Sequence, residues 1–206
     1  MNEEAAPMTE DQSAAGSAVR RLVLRDEVSI DELRRRAETL GWRYAGMIDR
    51  DPDQRIYREM KWFAADDVAV HYVEDEFADE RFLMAAGGNL EERNAVLGSI
   101  PGRVPVWSLE DLMYAVSSAA YPAGRARAVM RLGVGSPLNV YPPVVTRIER
   151  AAKDPDIRVR KSAVWAMAYS DWPEYRDVLE NVAAHDADSQ IAHSASLIVQ
   201  RLGESE

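Results

Sequence analysis

Two stretches of this chain follow one plan. Residues 154–168 read DPDIRVRKSAVWAMA, and residues 186–200, 32 positions later, read DADSQIAHSASLIVQ. Aligning Asp154 with Asp186 places Val159 on Ile191, Ala163 on Ala195 and Met167 on Val199. Ala128 lies 35 positions before Ala163, which makes RARAVMRLG a degenerate earlier copy. A unit this short encloses too little interior to fold alone. Repetition therefore points to neighbouring units that stack and share an apolar layer, with small residues allowing close approach.

The unit reads as two helices. Asp154 is the expected N-cap, with Pro155 in the first helical position. Val159, Ala163, Ala166 and Met167 then share one face. Asp171 is expected to cap a second helix carrying Tyr175, Val178, Leu179 and Val182, and Asp186 or Asp188 to start a third. Upstream, Ser108 with Asp111 opens a helix over LEDLMYAVSSAA; Pro122 opens the next, ending near Gly133; Pro142 and Pro143 open another. The residues Asp154, Pro155, Asp156, Val159, Arg160, Ala163 and Ala166 give the segment a pattern that resembles bacterial HEAT repeats, including the short HEAT-like repeats of phycobilisome lyases. The resemblance covers roughly residues 120–203, with Ile191–Ala192 where the family usually has Val–Arg and no second helix expected after the final copy. It implies an all-α array that presents the ridge of its second helices. On this phasing the ridge draws on 173–185, with Glu174, Asp177 and Glu180 as partner-facing residues. Trp165, Tyr169, Trp172 and Tyr175 either fill the wedge between helices or line a groove, and Trp165 and Trp172 are the candidate contacts.

The front half changes period. Ser29 with Glu32 makes a capping box for a helix over 30–40 that stops at Gly41. Strands are expected at 42–48, 55–64, 68–74 and 80–86, where aromatic and branched residues alternate with polar ones. Asn89 with Glu92 caps a short helix to Leu97. The fold class is therefore an α+β unit, a helix on an antiparallel meander, followed by an all-α array. The expected division is an acidic disordered tail over 1–18, the α+β unit over 19–100 and the helical domain over 101–206, with the Pro- and Gly-rich 101–107 as boundary.

Charge narrows the function. The net charge is −10, with 22 acids and 13 bases in residues 1–100 against 13 and 12 in the remainder. Duplex binding rests on clustered Lys and Arg, so this balance argues against nucleic acid and leaves open a basic protein partner for the front half. The acidic cluster Glu74, Asp75, Glu76 lacks the spacing of a calcium loop and reads as a hairpin turn or a partner-facing patch. His71 lies opposite in parity to Val70 and Tyr72, without a nucleophile motif near it. There is no cysteine, no phosphate-binding loop with its Lys and no G-x-S-x-G elbow; His185, Asp186, Asp188 and His193 show no fixed metal geometry. No cofactor, metal or membrane span is expected, and a cytoplasmic setting fits. The leading expectation is a non-enzymatic interaction protein, either an adaptor or regulatory module or an immunity-type protein. The alternatives are a HEAT-like enzyme, of bilin-lyase or DNA-glycosylase kind, and a small-molecule sensor.

Overall fold

The computed structural model describes residues 19–49 and 56–204. The expected tail over 1–18 and the turn between the second and third strands fall outside these residues. Five strands form one antiparallel sheet: β1 (Arg21–Val23), β2 (Arg43–Ile48), β3 (Ile56–Phe63), β4 (Val68–Asp75) and β5 (Glu80–Gly87), in the order β1-β5-β4-β3-β2. Helix α1 (Ile30–Thr39) lies between β1 and β2, and α2 (Leu90–Gly98) follows β5. The meander matches expectation, and β1 is an addition. Its three residues, RLV, are too few to show a period, and they reach β5 across the chain, with Leu22 opposite Leu83.

Local chemistry explains the helix ends. The Ser29 hydroxyl accepts the Glu32 amide at 3.1 Å, but the Glu32 carboxylate turns to Arg36 (2.6 Å) instead of closing a capping box. Gly41, at φ +73°, stops α1. Asn89 and Glu92 do form a full box at the start of α2. One sheet face, carrying Val68, Val70, Tyr72 and Leu83, packs on Leu33, Ala37 and Leu97 of these two helices. The sheet is therefore buried on that side.

The rest of the chain is helical: α3 (Leu109–Ser118), α4 (Pro122–Val134), α5 (Pro142–Ala151), α6 (Ile157–Ser170), a 3-10 turn (Pro173–Tyr175), α7 (Arg176–His185) and α8 (Ser189–Glu204). These pair as α3–α4, α5–α6 and α7–α8, and α4, α6 and α8 stack into one layer. The phasing differs from the sequence expectation. The Asp-x-Asp helices α6 and α8 are second members of their pairs, α7 is a first member, and the final unit is complete. The caps differ too. Asp171 is the left-handed C-cap of α6, at φ 54°, and does not start α7. Asp156, not Asp154, caps α6 by accepting the Arg158 amide at 3.0 Å.

Asp154 has a different task. Its carboxylate accepts the Asp156 amide at 2.9 Å and the Arg125 Nε at 2.8 Å. One unit on, Asp186 accepts the Asp188 amide and the Arg160 Nε, both at 2.9 Å. Arg125 and Arg160 occupy equivalent places, 35 residues apart like Ala128 and Ala163. Each turn therefore closes on itself with its first Asp, which also anchors an arginine of the preceding unit; its second Asp caps the helix. The Arg160 hydrogen bond holds the Asp186 carboxyl below its usual range, and burial opposes this only in part. Burial pushes the Asp154 carboxyl up, but Arg125 and the Asp156 amide outweigh it and the net shift is downward.

α4 ends at Val134, near Gly133 as expected. Gly133 serves approach rather than termination, since a Cβ there would sit 2.4 Å from the Ala166 Cα. That contact draws α4 and α6 tightly together, and Val129, Leu132, Val159, Ala163 and Ala166 fill the layer behind it.

Candidate protein-interaction site

The second sheet face is not left to solvent. Val23, Val73 and Phe82 pack on Met130 and Val134 of α4, so the front half sits on the α4–α6 layer. A buried ion pair ties the two halves. Arg131 donates its Nε to Glu80 at 2.8 Å and an Nη to Asp26 at 2.7 Å, with its guanidinium 4.6 Å from the Trp107 ring centre. Burial pushes the Glu80 carboxyl up against the opposing pull of Arg131.

Beyond α4 the sheet and the helical layer part, leaving a cleft of about 370 Å³ between β1, β4, β5 and α6. Arg21 crosses its floor. The guanidinium donates to the Tyr169 carbonyl at 3.2 Å and lies between the Phe82 and Tyr169 rings at 5.7 and 5.4 Å. Burial pulls the Arg21 pKa down, although Tyr169 and Asp75 oppose the shift. Tyr169 donates its hydroxyl to Asp75, whose other oxygen accepts the Phe77 and Ala78 amides at 3.0 and 3.1 Å and so closes the β4–β5 turn. That turn presses Phe77 edge-on against Trp165, ring centres 4.6 Å apart. Past this contact a second cavity, about 290 Å³, opens between α6 and α8 beside Lys161, Gln190 and Ser194. On the same sheet face His71 Nδ1 meets the Glu59 carboxylate at 2.5 Å.

The sequence-predicted residues separate into three places. Trp165 is half-buried at the cleft wall, and Asp75 lies in the same cleft. Glu74, Asp75 and Glu76 also line an adjoining cavity of about 460 Å³ with Asp26, Asp79 and Glu80. Glu74 accepts the Tyr72 hydroxyl at 2.6 Å. Trp172 is interior, 2 % exposed and stacked 5.7 Å from Tyr175. Glu174, Asp177 and Glu180 are exposed on the 3-10 turn and α7, and none lines the cleft beside Trp165; Asp177 instead borders a separate hollow near Arg160 and His185. Sequence reasoning missed Arg21, Phe77 and Arg201. Arg21 belongs to a strand without a pattern, Phe77 looks like an interruption in an acidic turn, and Arg201 binds the Ala168 carbonyl and Asp171 through tertiary geometry alone. Among the described residues no cluster of His, Asp and Glu is arranged to hold a metal ion, and no helix is long and apolar enough to cross a membrane.

The stacked hairpins, the Asp-x-Asp turns and the arginines that join them are the marks of a repeat array. Residues 109–198 match the family model of HEAT repeats. The match begins at α3 and ends within α8, so it takes in all three hairpins and starts before the segment the sequence pattern had marked. Neither a curated protein nor a solved structure matches the chain. HEAT repeats commonly mediate protein interactions; in this chain the sheet packs on α4, and a cavity opens between α6 and α8.

Proposed function

We propose that the chain is a non-enzymatic interaction module that grips a basic protein where the β4–β5 turn meets the HEAT array. The observation that carries this reading is the Phe77–Trp165 contact. It joins two features that the sequence keeps 90 residues apart, the acidic 74–76 segment and the tryptophan of the repeat, into one continuous surface. Trp165 supplies a half-buried aromatic anchor of the kind that dominates interfaces. Glu76 and Asp79 supply exposed negative charge that steers and selects a cationic partner. The α+β unit over 19–100 and the helical unit over 101–206 act together in this reading, because the cleft has one wall from each. An immunity-type role, neutralising a basic protein, and an adaptor role both fit such a surface.

The test is a photo-crosslinking amino acid placed at the exposed Lys161 in the native host. One discrete adduct with a basic protein is expected. Trp165→Ala should abolish it, at a cost of about 2 kcal/mol or more in binding, and Glu76→Lys should weaken it chiefly through the association rate. Adducts that both variants leave unchanged would remove the proposal.

A further inference from the structure

A second surface lies along the outer edge of β1. A hollow of about 660 Å³ runs there between the Pro101–Ser108 segment and Gly135–Pro137. Two observations there coincide. The first is charge. Four arginines, Arg20, Arg21, Arg36 and Arg103, line the hollow and no Asp or Glu does, in a chain whose net charge is −10. Arg21 turns its guanidinium into the cleft at Tyr169 and Arg36 is shared with Glu32, whereas Arg20 and Arg103 make no ion pair among the described residues.

The second is the backbone. Among the described residues β1 ends the sheet beside β5, and Leu24, just past it, makes an antiparallel bridge to Val106 on the outer side. The Leu24 amide donates to the Arg81 carbonyl, so the amides of Leu22 and Leu24 face β5 and those of Arg21 and Val23 face outward. The Pro101–Ser108 segment covers the far end only. Trp107 N–H takes the Val23 carbonyl at 2.8 Å, and Arg25 N–H takes the Pro105 carbonyl at 3.0 Å. Val23 is buried beneath Trp107, so the Arg21 N–H and C=O are what is left without a strand partner among the described residues. An open edge of this kind is a template for an added strand.

We infer that this groove receives an extended acidic segment of a partner protein, added as a sixth strand beside β1. Its backbone pairs with Arg21, and its carboxylates reach Arg20 and Arg103. Extended chain satisfies the edge, and carboxylates satisfy the Arg20 and Arg103 guanidiniums, which no acid among the described residues reaches. The surface shares Arg21 with the Trp165 cleft but differs in charge, since the cleft lining sets Glu59 and Asp75 against Arg21 and Arg201, so it takes a different segment or a different partner.

The probe is a synthetic six-residue peptide of alternating Glu and Val, titrated into the full chain at low salt and followed by fluorescence anisotropy and by amide exchange. Saturable binding is expected, with slowed exchange at the Arg21 amide. A Lys–Val peptide of the same pattern should not bind. Arg20→Glu with Arg103→Glu should weaken the acidic peptide by about tenfold. A Glu–Val peptide N-methylated on alternate amides should also fail, and this comparison leaves the protein itself unaltered. Equal binding of the methylated peptide would show attraction without strand addition and overturn the proposal. So would binding that is indifferent to the arginine changes. A third refuting result is that the Arg21 amide is already protected in the free chain and loses that protection when residues 1–18 are deleted, because the protein's own acidic segment would then be the occupant.

Discussion

Gly133 and Gly124 lie in one helix, and the same substitution should push stability in opposite directions at the two. At Gly133 an added Cβ meets the Ala166 Cα at 2.4 Å, its Cβ at 2.5 Å and its carbonyl oxygen at 2.8 Å. At Gly124 it meets nothing within 4 Å. Alanine recovers about 0.5–1 kcal/mol of backbone entropy in a helix. Overpacking a close-packed interior costs about 1–3 kcal/mol, and the upper end applies when the obstruction is backbone that no rotamer change can move. Gly133→Ala should therefore lose about 1–2 kcal/mol net, and Gly124→Ala should gain up to about 1 kcal/mol. For a chain of this size each kcal/mol corresponds to roughly 2–4 °C in Tm. Urea unfolding followed by far-ultraviolet circular dichroism measures both, with a shifted midpoint at constant slope. Ala166→Gly should not rescue Gly133→Ala, because the Cα and carbonyl remain in the way. If Gly133→Ala were as stable as the parent, α4 and α6 could separate at no cost, and the account of the layer as held by that contact would be wrong.

Arg131→Met leaves Glu80, whose side chain is 2 % exposed, with only the longer Arg127 contact at 3.7 Å, and should cost about 3 kcal/mol in the same assay, most of it recovered when Glu80→Gln is added. A double-mutant cycle on Arg160 and Asp186 should return a coupling of about 1 kcal/mol, which confirms the arginine as a tie between units. Acid should act on the Asp-x-Asp turns. Hydrogen bonding by Arg158 pulls the Asp156 carboxyl down to about 2, so its contribution is complete above the ordinary carboxylate value and is lost as pH falls toward that number. Asp156→Asn should flatten the decline in stability between about pH 4 and pH 2. Glu80 has the reverse sign. Its raised value makes stability fall as pH climbs from the usual carboxylate range through the elevated one, and Glu80→Gln should remove that slope, read from urea midpoints at successive pH values.

The elements of this fold were legible where local chemistry fixes them. Alternation in VAVHYV and the Asn89–Glu92 box give β4 and α2 directly. Assembly was less legible, because a helix face does not state which neighbour covers it. α6 was read as the first helix of a unit since Asp-Pro-Asp looks like a beginning, yet it is the second helix of its hairpin. Asp154 was read as a cap because an Asp before Pro suits one, but Arg125, 29 residues upstream, claims its carboxylate. Asp171 was read as a start, and its left-handed backbone makes it an end. At the candidate site Trp165 and the acidic turn were found separately. Their union depends on Phe77, which carries no pattern. Arg21 was invisible for a similar reason, as its partners are a carbonyl and two rings brought from remote parts of the chain.

Arg21 also sets an order of events during synthesis. Its carbonyl partner, Tyr169, is made 148 residues later. At translation rates of 5–20 residues per second that interval is roughly 7–30 s. The meander can close within the first half of the chain, but its far face stays uncovered until α4 and α6 emerge, and the arginine is left without its partner for the same period. The nascent protein thus passes through a stage with a finished sheet and an exposed apolar back. Cellular factors that shelter such surfaces would act on it there, before either binding site exists.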